Sequence, residues 1–375
     1  MKLRVVVLGA GFGGLELTSI LSEKIGDQLD LTLIDQHDKF FFGYSKLDIM
    51  FGRKPSDAVL ISYSNIVKPG VRFRRETITA IDPVKKVVTT QNGTYEADVL
   101  VVALGANYDM DATPGLAEYG NEYYSFGGAE KLSAVIPTFR SGHAIVGVCG
   151  APFKCPPAPS EAALMLHDHL LHQGVRNDCT ISLVLPFGSP IPPSPDSSKA
   201  LIKAFEARAI RFIPQRKIKS LDREVAILDD GTTLPFDLFL GIPKHVAPEV
   251  VVESGLTENG WIPVSRTDLL TKFPNVYAIG DVSSVGVPKA GVFAEGAAKV
   301  AAASIIAAFN GQAHQSAYTG AGSCYIEFGE HQVARVDVDF FSGPKPFGRH
   351  HEASEAMAED KEAFGAGRRA RWFGL

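Results

Sequence analysis

Apolar residues along this chain alternate between short continuous runs and helical stripes, a pattern that predicts an α/β fold. Residues 5–8 and 31–34 are β-branched and aliphatic runs of the kind found in strands covered on both faces. Between them, residues 15–21 carry apolar side chains at helical spacing. The alternation returns with a strand at 144–148, a helix at 160–173, a strand at 180–185 and a helix at 198–209. A buried strand follows at 276–281, then a Gly- and Ala-rich helix at 289–303 and a polar helix at 352–375 whose charges run from acidic to basic. Two segments are copies of one another: 78–105, "ITAIDPVKKVVTTQNGTYEADVLVVALG", and 218–243, "IKSLDREVAILDDGTTLPFDLFLGIP". Each predicts three short strands joined by an acidic turn and an Asn-Gly or Asp-Gly turn, then a buried strand. The copy implies two related domains, the first discontinuous (1–110 and 245–315) and the second at 111–244, followed by a small α+β segment at 316–375. The stretch "GSPIPPSPDSS" at 188–198 predicts an exposed loop on the second domain.

The first strand leads into Gly9-Ala10-Gly11-Phe12-Gly13-Gly14 and then a helix, the strand-turn-helix context that gives a GxGxxG its meaning. Gly9 permits the tight turn, Gly11 leaves room for a pyrophosphate at the helix N-terminus, and Gly14 allows the helix to pack on the strand. The second strand ends at Asp35, where an acidic residue holds ribose hydroxyls in dinucleotide folds. Two Rossmann-like dinucleotide-binding domains are therefore expected.

At 375 residues the chain can bury a large core without disulfides. A net charge of −5 excludes the basic face that nucleic acid requires. No apolar run reaches the ~20 residues of a membrane span, and strand sequence from Leu3 leaves no signal peptide, so a cytoplasmic protein is expected. Four cysteines, Cys149, Cys155, Cys179 and Cys324, are too few for a secreted disulfide framework. A metal set of Cys149, Cys155, His167 and His169 is disfavoured, because neighbours two apart on a helix diverge by ~200°, and no metal is assigned.

The segment "NVYAIGDVSSVGVPKAGVFAEG", with Gly280, Asp281 and Lys289, and "ADVLVVALGA", with Ala103 and Gly105, resemble the second and third flavin motifs of the pyridine nucleotide-disulfide oxidoreductase superfamily. That resemblance implies FAD, with Asp281 on the ribityl chain and the following helix N-terminus facing the flavin ring; the local reading of Asp281 as a cap or turn residue is weakened by the third motif at 97–106. Where the family's NADH-using members repeat the glycine fingerprint, this chain reads Gly147-Val148-Cys149-Gly150-Ala151-Pro152, and Pro152, Pro156, Pro157 and Pro159 have no N–H to offer a phosphate.

"GAPFKCPPAPSE" and "GSCYIEFG" are similar to segments of the sulfide:quinone oxidoreductases and the flavoprotein of flavocytochrome c sulfide dehydrogenase, and the likeness extends along the whole chain. It implies a redox couple of Cys155 and Cys324: hydrosulfide attack leaves a persulfide on Cys155 and frees the Cys324 thiolate, whose electrons pass to FAD and on to a quinone. Cys155, just before the helix expected from Ser160, is placed for a lowered thiol pKa. Glu161 fits a general acid or base whose pKa burial raises, or simply a helix-favouring first-turn acid. The pair reads otherwise as two inert thiols or a structural cross-link. Tyr325, Phe340, Phe341 and Phe347 are candidates to stack on quinone. No cysteine lies in the first 110 residues, so FAD is held non-covalently. The tail Arg368 to Phe373, basic and aromatic, suggests a peripheral contact with the inner face of a membrane, and the composition is compatible with an oligomer. A type II NADH:quinone oxidoreductase and a flavin-bound redox sensor without turnover are the rival readings.

Overall fold

The computed structural model describes residues 2–315 and 317–375, so the domain ends placed at Met1 and Ser316 lie outside the described residues. A five-stranded parallel sheet runs in the order Val276–Ala278, Val99–Val102, Leu3–Leu8, Leu29–Asp35, Val71–Arg75. Its first strand comes from beyond residue 245, so the chain leaves this sheet, builds a second one, and returns. The second sheet is also parallel: Asn121–Glu122, Leu238–Ile242, Gly142–Val148, Cys179–Val184, Ile210–Ile213. Strands buried on both faces explain the unbroken aliphatic runs: Val5, Val7, Leu8, Leu31, Leu33 and Ile34 are all fully enclosed.

The internal copy becomes two equivalent units. Ile78–Asp82, Val87–Thr90 and Gly93–Glu96 form an antiparallel three-stranded sheet that feeds Val99–Val102. Ile218–Asp222, Val225–Leu228 and Thr233–Pro235 do the same ahead of Leu238–Ile242. A third antiparallel sheet, Gly322–Gly329, Gln332–Asp339 and Phe347–Ser354, packs its apolar face on the helix Ala158–His172, and the C-terminal helix Glu355–Phe373 lies against it. This is the two-Rossmann α/β fold with a small C-terminal α+β segment.

Several element boundaries differ from the sequence pattern. The helix carrying Glu161 begins at Ala158, because Pro157 and Pro159 have helical φ already set and no N–H to lose in a first turn. The Gly/Ala-rich helix begins at Gly291 and runs to Phe309. The proline-rich loop is shorter than expected: Ser194 is buried and its hydroxyl caps a helix, Pro195–Ala207.

Among the described residues, Gly291–Phe309 is the one helix with the length and hydropathy of a membrane span. It is a core helix instead, packed along Phe12–Ile25 with Ala297, Ala298, Ala301 and Ala302 enclosed.

The tail is the larger correction. Trp372 is 0% and Phe373 4% exposed, with the indole edge-on to Phe12 and Phe40. Its Nε1–H donates to the buried Glu16 carboxylate at 2.8 Å, and Arg371 donates to the same oxygen at 2.8 Å. Arg368 pairs with Glu295. Rings and charges expected to face lipid therefore close the first domain, since Glu16 in an apolar helix needs these donors to be tolerated there.

Candidate active site

The turn after Leu3–Leu8 has one side that only glycine allows. Gly9 has φ +98°, and a Cβ there would meet the Ala103 carbonyl oxygen at 2.4 Å; a Cβ on Gly14 would meet the Gly9 carbonyl oxygen at 1.9 Å. Gly11 differs, with no protein atom within 4 Å of such a Cβ: the space belongs to a cavity. That cavity has a volume of about 1400 Å³ and runs from Gly9, Gly11 and Asp35 past Ala103, Gly105, Gly280 and Asp281 to Cys155 and Cys324. The Asp35 carboxylate accepts from the N–H of Ala10 at 2.8 Å and of His37 at 2.9 Å, fixing the turn while it faces the cavity.

Two helix N-termini open into this space. Phe12–Ile25 and Gly291–Phe309 have no acidic residue in their first turn and no side-chain cap, so their free N–H groups are left for a ligand. Asp281 is held above its ordinary carboxylate value by burial, against the pull of Lys154, Lys289 and Lys46. A dinucleotide with a pyrophosphate and a ring that gains negative charge fits these features.

At the far end stand the sulfur groups. Cys155 sits in the loop after Gly142–Val148, with left-handed φ of +51°; its N–H donates to Lys289 O at 2.7 Å and its carbonyl accepts from Ala158 N at 2.9 Å. Cys324 comes from Gly322–Gly329 and reaches the same cavity. All four cysteines are thiols here. Burial pushes the Cys155 thiol well above its ordinary value, the Glu161 carboxyl adding to it and Lys46 opposing; burial pushes Cys324 up to about 12, with Glu161 and Asp337 adding. The low thiol pKa expected at Cys155 is thus reversed, because desolvation outweighs a helix end that starts three residues away.

Glu161 is 2% exposed and lines the cavity. Burial raises its pKa to about 7, although the Lys361 ammonium and the Glu327 N–H, which donates to it at 3.0 Å, both favour the charged form. Glu327 is itself held by Lys361 at 2.5 Å and Arg53 at 3.1 Å. Burial works against the Glu327 carboxylate, but these two cations win and keep it below its ordinary value. One carboxyl of the pair is therefore poised near neutrality and the other stays ionised.

Residues 3–152 match the family described as pyridine nucleotide-disulphide oxidoreductase. The chain is an FAD-dependent oxidoreductase, and FAD is the ligand that the cavity's glycine turn, Asp35 and Asp281 are suited to hold. The chain is 22% identical over 360 residues to the mitochondrial sulfide:quinone oxidoreductase of Mus musculus, covering 91% of this chain and 79% of the mouse protein. The sulfide:quinone oxidoreductase of Aquifex aeolicus superposes with a TM-score of 0.89 at 23% identity, over 97% of this chain and 90% of that one. A shorter match, 30% identical over 132 residues, links 35% of this chain to 33% of the type II NADH:quinone oxidoreductase of Staphylococcus haemolyticus.

Within this oxidoreductase scaffold, Gly14 stands behind the turn as a packing residue, and Lys289 departs from its expected place. The Lys289 ammonium turns from the main cavity to lie over the Trp261 ring at 3.2 Å and bonds the Asp281 carbonyl; burial lowers its pKa to about 8. Of the aromatic candidates only Tyr325 lines the cavity. Phe340 packs on Phe293, Phe341 stacks under Arg266, and Phe347 is 63% exposed on an outer strand. Cys149 packs beside Ile145 and Ile218, away from the cavity, and Cys179 is a core residue.

Several cavity residues escaped the sequence reading. Lys46, from the helix Ser45–Met50, donates to Tyr124 O at 2.5 Å, and desolvation lowers its pKa to about 7. Lys154 donates to Ala106 O at 3.1 Å with its ammonium over the Tyr108 ring. Tyr123, Tyr124, Phe41, Phe126, Lys361 and Phe364 complete the walls. The only signal in sequence was a lysine directly before Cys155; the rest come from segments far apart in the chain.

Proposed function

We propose that this enzyme oxidises hydrosulfide, or a related persulfide or thiol, through a Cys155/Cys324 couple and passes the electrons by way of FAD to a quinone. The observation that carries the reading is that Cys155, Cys324 and Glu161 line one cavity, near enough for Glu161 to raise the pKa of both thiols. The oxidised couple is a disulfide; attack by hydrosulfide forms a new S–S bond at Cys155, breaks the old one and expels Cys324 as a thiolate. With its pKa near 12, Cys324 is a poor leaving group unless protonated. Glu161, half-protonated near pH 7, supplies that proton and recovers it when the couple closes again. Lys46 lies close enough to oppose the burial of charge on Cys155, which favours an anionic persulfide there. FAD, when bound, takes two electrons from the couple and gives them up to the acceptor. Phe41, Phe126, Tyr325 and Phe364 give the cavity an aromatic lining suited to a flat acceptor ring.

The loop that would hold a nicotinamide dinucleotide carries Pro152, Pro156 and Pro157 together with Cys155, which supports sulfide over NADH as donor. Anaerobic titration of the purified yellow protein tests this: sulfide bleaches the flavin and NADH at micromolar concentration does not. Rapid bleaching by NADH with none by sulfide would establish the type II NADH dehydrogenase reading instead.

A further inference from the structure

The three-stranded C-terminal sheet has two unlike faces. Strand register pairs Ser323 with Asp337, Tyr325 with Arg335, and Arg335 with His351. One face carries Ile326, Val336 and Val338 into the core, while the other carries a connected polar line across all three strands. Ser323, next to Cys324 and lining the cavity, has its Oγ 2.7 Å from Asp337 Oδ1. The second oxygen, Asp337 Oδ2, is 2.6 Å from His351 Nε2, and the His351 side chain is 26% exposed. The line therefore starts in the cavity and ends in solvent.

We propose that Ser323, Asp337 and His351 form the path by which a proton from solvent reaches the acceptor in the cavity. The proposal rests on the quinone reading above. Reduction of a quinone to its quinol takes two electrons and two protons, so protons have to reach the acceptor from outside in each turnover. The His351 imidazolium releases its Nε2 proton to Asp337 Oδ2. The protonated Asp337 carboxyl turns so that this proton faces Ser323; the Ser323 hydroxyl swings from Asp337 Oδ1 to the acceptor oxygen, gives it its own proton and takes the one from Asp337, and the neutral imidazole is recharged from solvent.

The groups around the line suit this traffic. Arg335 Nε lies 3.1 Å from Asp337, Arg335 also reaches Asp360 of the C-terminal helix at 2.7 Å, and Asp360 accepts from the Tyr325 hydroxyl at 2.7 Å. Arg349 stands opposite Asp337 on the outer strand. Asp337 is pulled below its ordinary value against burial by Ser323, His351 and Arg335, so it rests ionised and holds a proton only in passing. A purely structural ladder would hold the strands together equally well without its ends opening on a cavity and on water.

The test uses the FAD-loaded enzyme and three variants, Ser323→Ala, Asp337→Asn and His351→Gln. Each is reduced anaerobically with sulfide, then reoxidised by decylubiquinone or by ferricyanide, an outer-sphere acceptor that takes up no proton. Expected are a sulfide reduction rate within twofold of wild type, ferricyanide reoxidation unchanged, and quinone reoxidation slowed roughly 10²-fold, with partial recovery of His351→Gln by added imidazole. A readout independent of turnover is the histidine ring NMR spectrum, where a protected Nε2–H signal of His351 should be present in wild type and Ser323→Ala and absent in Asp337→Asn. Wild-type quinone reoxidation in Ser323→Ala and His351→Gln overturns the path. If quinone fails to reoxidise the wild-type enzyme, the acceptor reading itself falls, and the path with it, before any variant is compared.

Discussion

The amide of Glu327 donates to the Glu161 carboxyl at 3.0 Å, a bond that joins the C-terminal sheet to the helix just behind Cys155. It couples the protonation of a cavity acid to an ion cluster of Lys361 and Arg53 on the far side of Glu327.

That coupling makes Glu161 a pH-sensitive group with a definite sign. Its folded pKa, about 7, lies above the ordinary carboxylate value of 4.5. The native state thus holds the proton more tightly, and the stability gained is full below pH 4.5 and lost as pH rises through 7. Denaturant unfolding of wild type and Glu161→Gln should differ most in slope between these two values, the variant being the flatter. In sulfide-driven flavin reduction the wild-type rate should fall above pH 7, and Glu161→Gln should be slow with no inflection there.

The cysteines divide by position. Cys155→Ser and Cys324→Ser should retain FAD and lose sulfide-driven flavin reduction, since both thiols face the cavity. Cys149→Ala and Cys179→Ala, one packed by Ile145 and the other in the core, should keep rates within a few-fold of wild type. Stopped-flow bleaching of each variant checks this, and a Cys324→Ser enzyme still reduced by sulfide at the wild-type rate would eliminate the couple.

Two glycines of the same turn should respond differently. Gly14→Ala pushes a methyl to 1.9 Å from the Gly9 carbonyl oxygen, so the helix must move off the strand; both FAD retention and the melting temperature of the FAD-free protein should fall. Gly11→Ala meets no protein atom within 4 Å, so the FAD-free protein should melt as wild type does while FAD affinity drops. Flavin absorbance after gel filtration and thermal melts with and without FAD separate the two effects.

Trp372 is fully enclosed and anchors Glu16. Trp372→Ala should cost ~3–5 kcal/mol, as expected for a large aromatic removed from a core. Denaturant unfolding followed by far-UV circular dichroism measures it. A loss below 1 kcal/mol would show that the tail is not part of the first domain's core.

The nucleotide half of the site was readable from the chain because its geometry is local. A strand, a glycine turn and a helix N-terminus lie within residues 3–25; Gly9 and Gly14 answer contacts with Ala103 and within that unit, and Gly11 leaves open space. The tail was misread for the opposite reason. Arg368, Arg371, Trp372 and Phe373 look amphipathic in isolation; the two rings are interior, and Glu295 and Glu16, brought from distant helices, pair the two arginines at their edge.

The sequence by itself determined the α/β layering, the two copied strand units and the glycine turn that opens the first helix. These follow from residue periodicity and short-range sterics, which need no knowledge of what lies across the fold. Tertiary structure alone decided the ionisation of the cavity's titratable groups. Both thiols are raised rather than lowered, Glu161 is poised near neutrality, Lys46 lies beside Cys155, and Phe340, Phe341 and Phe347 point elsewhere. Desolvation and Coulomb energy depend on every charge and wall that packing brings within a few ångströms, whatever its place in the chain.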